Sequence, residues 1–203
     1  MSLYELATLD TVIFGAGRAA PGIEAWVAAG QGRLCGAWST DIGTLNRVFV
    51  LRAFDSLGQM MDERDRALMS DNPWGCAEHL TALSMESHRA LDFLPPVEPG
   101  AWGPVYEFRT YRLRLNGLAP TQAKWAAAVP GRQAYSRLCL AMYGLDGAPR
   151  LTQIWPYASL AARAEARARS VAEGAWPPPG GPDWLTPDMT SQIALPLPFS
   201  PLR

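Results

Sequence analysis

The chain has 203 residues, of which 48% are apolar and 18% are charged, and its formal net charge is −1. This composition is typical of a folded, soluble protein with room for one large domain or two of about 100 residues. The near-neutral charge excludes the basic field that attracts nucleic acid, and without a long apolar run we expect no membrane association.

The cysteines and histidines do not form a metal or redox motif. Cys35, Cys76 and Cys139 are far apart in the sequence, and no CxxC pair is present. Only His79 and His88 could join them as metal ligands. We therefore expect no metal site and no cofactor, with the cysteines reduced and buried and His88 at the surface or an interface.

The N-terminal segment predicts a strand followed by a helix. Residues 3–9 fit the strand, and the early acidic residues without a basic segment are not typical of a secretion signal, so we expect a cytoplasmic protein. The "GAGR" at 15–18 lacks the other residues of a phosphate-binding loop. Pro21 suits the first turn of the helix.

A β-hairpin and a second helix are predicted next. Apolar runs at about 34–40 and 46–54 indicate two strands, and Gly43 supplies the turn between them. Ser56 and Gln59 fit a capping box, in which each side chain satisfies a backbone amide at the helix N-terminus.

A segment rich in proline and glycine, residues 94–104, divides the chain. A strand-like run at 80–87 precedes it. We interpret the segment as a linker between a first domain, 1–97, and a second domain, 105–203.

The second half predicts the same elements in the same order. They are a strand from residue 105, a helix at 119–129, strands at about 137–143 and 150–157, a helix from Ser159 with Gly174 as its C-cap, and a strand at 189–197.

Several landmarks recur at one spacing. Tyr4 matches Tyr106 and Trp74 matches Trp176, in both cases 102 residues later. Landmarks that recur in the same order at one spacing indicate a duplicated domain.

Each half reads β-α-β-β-α-β, the ferredoxin-like arrangement, so the predicted fold class is α+β with two tandem ferredoxin-like halves. A ferredoxin-like sheet has helices on one face only, and its bare apolar face must pack against something. We expect the two sheets to pack face to face as an α+β barrel with the helices outside.

Three stretches resemble the NIPSNAP family, within the dimeric α+β barrel superfamily: "TDIGTLNRVFVLRAFDSL" at 40–57, "YEFRTYRLR" at 106–114 and "LPLPFSPL" at 195–202. The resemblance implies the same fold and the same barrel pairing. It implies little about activity, because the superfamily includes cofactor-free monooxygenases, haem-handling enzymes, isomerases and decarboxylases.

The chain departs from the family pattern after "GTLN". Relatives carry a His and then a Trp on this strand, where this chain has Val50 and Arg52. The matching positions of the second half are Gln153 and Trp155. The resemblance therefore implies an asymmetric pocket without that histidine.

Arg109 is the leading candidate for binding chemistry. It shares a strand face with Glu107 and Tyr111, and this face points into the barrel if Tyr106 and Phe108 pack under the helices. An arginine there can bind a carboxylate or enolate oxygen, or it can pair with Glu107 and keep the lumen hydrogen-bonded.

Aromatic residues on the hairpin strands could line a pocket for a flat ligand or simply pack in the core. The predicted lumen residues for ligand binding are Glu107, Arg109, Tyr111, Gln153, Trp155 and Trp38. No catalytic residue stands out from spacing alone.

Two functions are consistent with these observations. The first is small-molecule binding in the barrel lumen, as a binding protein or a cofactor-independent enzyme. The second is a non-catalytic structural or interaction module with a filled lumen. In both cases we expect a homo-oligomer, because strand edges and the C-terminal "PLPFSPLR" offer docking surfaces.

Overall fold

The two halves of the chain contain the same elements. The computed structural model describes residues 3–203, apart from the side chain of Pro182; Met1 and Ser2, the start of the predicted first domain, lie outside the described residues. The first half comprises β1 (Leu3–Thr11), α1 (Gly15–Ala28), β2 (Arg33–Ile42), β3 (Arg47–Phe54), α2 (Leu57–Leu68) and β4 (Leu80–Ala90). The second comprises β5 (Val105–Leu113), α3 (Leu118–Arg132), β6 (Leu140–Gly144), β7 (Arg150–Tyr157), α4 (Leu160–Ala172) and β8 (Leu185–Pro196). This confirms the predicted α+β class and the tandem ferredoxin-like halves.

The eight strands close into one antiparallel barrel. Their order around the barrel is β1-β3-β2-β8-β5-β7-β6-β4, so the halves meet at two seams, β2–β8 and β4–β6. Within residues 3–203 each of these strands therefore has a neighbour on both sides. The strand edges expected to serve as docking surfaces pair inside the chain instead. An assembly of several chains stays a prediction.

Three apolar cores follow from this closure. One fills the barrel interior with side chains from both halves, and the other two lie between each half-sheet and its own helices. Trp38 is at the centre of the interior core, with its ring 5.3 Å from Tyr106 and 5.1 Å from Phe108. Gly36 permits this, because a Cβ there would lie 2.1 Å from the Trp38 ring.

The linker and the C-terminal residues close one end of the barrel. Val97 and Leu202 are buried in the interior core, and Gly100 forms a parallel bridge with Leu202. The Val97 amide donates to the Tyr4 hydroxyl at 3.2 Å. The C-terminal segment, expected to dock another molecule, therefore packs on the barrel of its own chain. We call residues 94–104 and 197–203 the plug.

The helix starts agree with the sequence at α2 and α4 but not at α1. Ser56 and Ser159 cap their helices by accepting from the amides of Gln59 and Ala162. Pro21, expected in the first turn, lies inside α1, because that helix begins at Gly15. Among the described residues, no helix has both the length and the apolar character needed to cross a bilayer.

The plug generates a prediction for stability. Leu202→Ala should lower the free energy of unfolding by about 2–5 kcal/mol, because it leaves a cavity where a fully buried side chain packs in the interior core. Leu195→Ala, at a position 38% exposed near the same end, should cost much less. Urea denaturation of both variants measures the difference, and equal losses would contradict a structural role for the plug.

Candidate functional site

The barrel is open at the end opposite to the plug. A cavity of about 720 Å³ lies there, at the end where β1 and β5 finish and the β2–β3 turn projects. We call it the mouth cavity. Its walls are the inward-facing side chains of β1, β3, β4, β5, β7 and β8, so both halves contribute to one site.

A layer of hydroxyl groups surrounds the mouth cavity. Thr8 pairs in register with Ser84, and Thr110 pairs with both Thr152 and Thr190. Residues that pair across antiparallel strands point to the same face, and all five line the cavity. The Thr110 and Thr152 hydroxyls are hydrogen-bonded at 2.9 Å. This hydroxyl layer can donate to and accept from a polar ligand at several points.

The mouth cavity has an apolar floor. Phe49 of the first half stacks on Phe108 of the second, with ring centroids 4.6 Å apart, and Leu6 lies beside them on the cavity wall. Below this floor the lumen is filled by the interior core. The cavity therefore suits a molecule with an apolar body and polar edges.

Three arginines surround the rim of the mouth cavity. Arg47 binds Asp10 through two bonds of 2.6 and 2.8 Å. Arg112 lies 3.3 Å from Asp188. Arg150 lies 3.0 Å from Glu86 and donates to the carbonyl groups of Asp146 and Ala148.

His88 is inside the barrel wall, which corrects the expectation of a surface histidine. It lies on β4, two residues beyond Glu86, and is fully buried. Its Nδ1 is 3.2 Å from the Glu86 carbonyl, and its Nε2 has no hydrogen-bond partner among the described residues. Burial, helped by the charge of Arg150, lowers the pKa of His88 to about 4, so the ring is neutral at pH 7.

The structure reverses the expected orientation of β5. Tyr106 and Phe108 point into the barrel, where they contact Trp38 and Phe49 of the other half. Glu107, Arg109 and Tyr111 lie on the opposite face, under the helices of the second half, and not in the lumen. Two contacts fix this orientation. The aromatic rings of both sheets pack against one another at the barrel centre, and Arg163 and Arg167 of α4 pair with Glu107 on the opposite face.

Glu107 is the centre of a buried ion cluster. Its Oε1 accepts from Arg109 and Arg163 at 2.6 Å and from the Ser191 hydroxyl at 2.7 Å, and Arg167 is 3.7 Å from Oε2. Burial alone raises the pKa of Glu107, but the bonds from Arg163 and Ser191 and the charge of Arg109 outweigh it and lower the pKa to about 2. The carboxylate is therefore ionised, with three protein donors on Oε1 and the charge of Arg167 near Oε2.

The first half has a counterpart at Glu5. Arg52, the residue at the family's Trp position, lies fully buried between Glu5 at 2.6 Å and Glu63 at 2.7 Å. Its guanidinium is 4.8 Å from the centroid of the Trp74 ring. In the second half the equivalent Trp155 packs on Trp176 with centroids 5.9 Å apart. Each sheet–helix interface thus contains a buried glutamate, and Arg52 replaces an aromatic ring by a paired cation.

The remaining candidates are divided between the two faces. Gln153 and Trp155 lie on the helix-facing side, where the Trp155 indole donates to the Gln153 side chain at 2.7 Å. Trp38 points into the lumen, as expected, but it is packed in the interior core and does not line the mouth cavity. The structure therefore does not bring the six predicted residues together in one site. A ligand-binding role for any of them stays a prediction.

A second, smaller cavity lies on the helix side of the second half. It has a volume of about 240 Å³ and is lined by the aromatic rings of Tyr111, Trp125, Trp176 and Trp184, with Met189 at its edge. The first half closes the equivalent region by direct backbone contact, since a Cβ on Gly22 would lie 2.1 Å from the Gly75 carbonyl oxygen. The helix interfaces of the two halves therefore differ, since one holds a cavity where the other is closed.

Comparison with known proteins identifies the family. A sequence model of the NIPSNAP family matches residues 4–96 and 106–201, almost the whole chain. The chain belongs to the NIPSNAP family. It does so with two copies of the family unit in tandem, one in each half of the barrel.

Solved structures that align with nearly the whole of this NIPSNAP chain share its fold at low sequence identity. An anthrone oxidase-like protein aligns over 97% of this chain and 91% of its own, with a TM-score of 0.67 and 14% identity. A putative monooxygenase from Lactobacillus acidophilus aligns over 96% and 93%, with a TM-score of 0.60 and 12% identity. A protein from Agrobacterium tumefaciens is 30% identical over 49% of this chain and 99% of its own, with a TM-score of 0.43. A search of curated proteins finds no match to this chain.

The mouth residues of this NIPSNAP chain were missed by sequence reasoning although a signal was present. Thr110 shares a strand face with Tyr106 and Phe108 on β5, and Thr8 shares one with Tyr4 and Leu6 on β1, because each set is spaced by two residues. Orienting the aromatic residues inward would have placed both threonines at one end of the lumen.

Within residues 3–203, no group of three or more His, Cys, Asp or Glu side chains is arranged to hold a metal ion.

The depressed pKa of His88 predicts how stability depends on pH. The folded pKa of about 4 is below the ordinary 6.5, so the unfolded state binds the proton more readily and stability is lost as pH falls from 6.5 to 4. The expected loss from His88 is about 3 kcal/mol, which His88→Met should remove. Urea denaturation between pH 7 and 4 measures it, with His79→Met as the control. Parallel pH curves for wild type and His88→Met would contradict this assignment.

The ion cluster at Glu107 generates a second prediction. Glu107→Gln leaves Arg109 and Arg163 without their buried anion and should cost about 3–5 kcal/mol at pH 7. Because the pKa of Glu107 is lowered, this difference should shrink as pH falls from about 4.5 towards 2. Glu165→Gln on the exposed face of α4 is the control, expected to change little. A cost as small as the control's would contradict the cluster.

Proposed function

We propose that this NIPSNAP protein binds a small organic molecule in the mouth cavity. The observation that carries the proposal is the combination of five hydroxyl groups with an aromatic floor in one open cavity of about 720 Å³. Small-molecule sites in proteins combine apolar surface with placed polar groups. The mouth cavity has both, with Leu6, Phe49 and Phe108 at its floor and a mainly polar wall around them.

The pairing of the two halves supports the proposal. Thr8 with Ser84 and Thr110 with Thr190 occupy equivalent positions of the two copies, as the strand registers show. Phe49 and Thr152 are also equivalent, since they pair with Thr8 and Thr110 respectively. The first half therefore presents the phenyl ring of Phe49 to the cavity where the second half presents the hydroxyl group of Thr152. A ligand that is apolar on one edge and polar on the other matches this difference.

The alternative, a structural module with a filled lumen, is favoured by the interior core below the floor. That core occupies the middle and the plugged end of the lumen but leaves the mouth open. Structures with the same barrel include putative monooxygenases, which supports small-molecule chemistry in barrels of this shape. It does not select a reaction for this chain.

Two neighbouring positions on β8 allow a matched test. Thr190 lines the mouth cavity, and the adjacent Met189 lines the aromatic cavity on the other face. The probe is 2-naphthol, a neutral phenol with an apolar body. With Thr190→Trp, which fills the mouth, affinity measured by isothermal titration calorimetry should fall at least about tenfold, while Met189→Trp should leave it unchanged.

The other outcomes contradict the proposal in distinguishable ways. A loss of affinity only with Met189→Trp would place the probe in the aromatic cavity. A failure of wild type to bind 2-naphthol and related two-ring phenols would favour the structural module.

A further inference from the structure

The rim of the mouth cavity carries a charge difference between the two halves. Asp10 pairs in register with Arg47 on the first half, and the equivalent pair on the second half is Arg112 with Arg150. A carboxylate thus faces an arginine on one side of the rim, and an arginine faces an arginine on the other. Like charges directly opposite each other on neighbouring strands are destabilising, so the second arrangement requires a compensating partner.

The protein compensates Arg112 only weakly. Its side chain is 42% exposed and lies 3.3 Å from Asp188, which is 67% exposed. Exposed ion pairs of this kind contribute little, because solvent screens them and the side chains lose entropy on pairing. By contrast, Arg47 is held by Asp10 through two short bonds. Arg112 is therefore free to exchange its partner for an anion in the cavity.

Arg150 is compensated more fully than Arg112, because Glu86 pairs with one of its terminal nitrogens and two backbone carbonyl groups accept from the other. It is buried against Gly144, and Glu86 lies 3.0 Å from one of its terminal nitrogens. Its Nε is buried and has no hydrogen-bond partner among the described residues. Because this atom is buried, Arg150 acts on a ligand in the cavity through its positive charge and not through this nitrogen.

We propose that the mouth cavity selects a small organic acid, whose carboxylate binds Arg112 in the field of Arg150 while its apolar body lies on Phe49 and Phe108. This inference rests on the proposed function and specifies its ligand class. A carboxylate fits the planar donor geometry of arginine. A single negative charge is favoured over a dianion, because Glu86 and Asp188 remain at the rim and repel additional charge.

The test compares two probes of nearly the same shape, the anionic naphthalene-2-carboxylate and the neutral naphthalene-2-carboxamide. Wild type should bind the acid at least about tenfold more tightly than the amide in calorimetry at low salt, and added NaCl should weaken only the acid. Arg112→Gln should bring the ratio of the two affinities close to one. Arg114→Gln is the matched control, since it removes the same charge two residues along the chain at a position that does not line the cavity, and it should preserve the ratio.

Failure of the inference and failure of the proposed function give different results. Equal binding of acid and amide by wild type would overturn the selection of an acid and leave small-molecule binding intact. If Arg112→Gln and Arg114→Gln lower the ratio of acid to amide affinity equally, the preference for the acid comes from the overall charge of the protein. That result would overturn the role of Arg112. Binding of neither probe would contradict both proposals.

Discussion

The structure depends on closure of two half-sheets into one barrel. A four-stranded ferredoxin-like half leaves two strand edges unpaired and one apolar face bare, and neither is stable in water. Joining two copies in one chain satisfies both requirements, because the β2–β8 and β4–β6 seams pair the edges and the inner faces share one core. Every other feature follows from this arrangement: the faces of each strand, the position of the helices and the two ends of the lumen.

Closure also explains where the polar residues can differ between copies. The barrel centre must be filled with tightly packed rings, so it tolerates little change. The helix interfaces and the mouth have more freedom. At the first interface Arg52 lies where the second has Trp155. Arg52 lies over the ring of Trp74, and Trp155 packs edge to face on the equivalent Trp176. At the mouth Asp10 and Arg112 occupy equivalent positions with opposite charge. Duplication has thus produced one scaffold with two unlike sides.

Much of the fold could be predicted from the sequence, but the site could not. Element order, the repeat, the caps at Ser56 and Ser159 and the pairing of sheets follow from local patterns and from the need to bury apolar faces. The orientation of β5 did not, because both of its faces are buried and alternation alone does not say which one meets the helices. Glu107 suggested a polar lumen, whereas its partners Arg163 and Arg167 are one turn apart on α4 and lie far along the chain. The mouth cavity depends on strand stagger in three dimensions, which no local pattern records.

The plug restricts access to the lumen of the barrel to one end. Segments from the middle and from the C-terminus of the chain seal one end together, with Val97 and Leu202 buried in the core and Gly100 bridged to Leu202. The lumen is therefore open at one end only and does not form a channel. A molecule in the mouth cavity enters and leaves by the same opening, and it can penetrate only as far as Phe49 and Phe108.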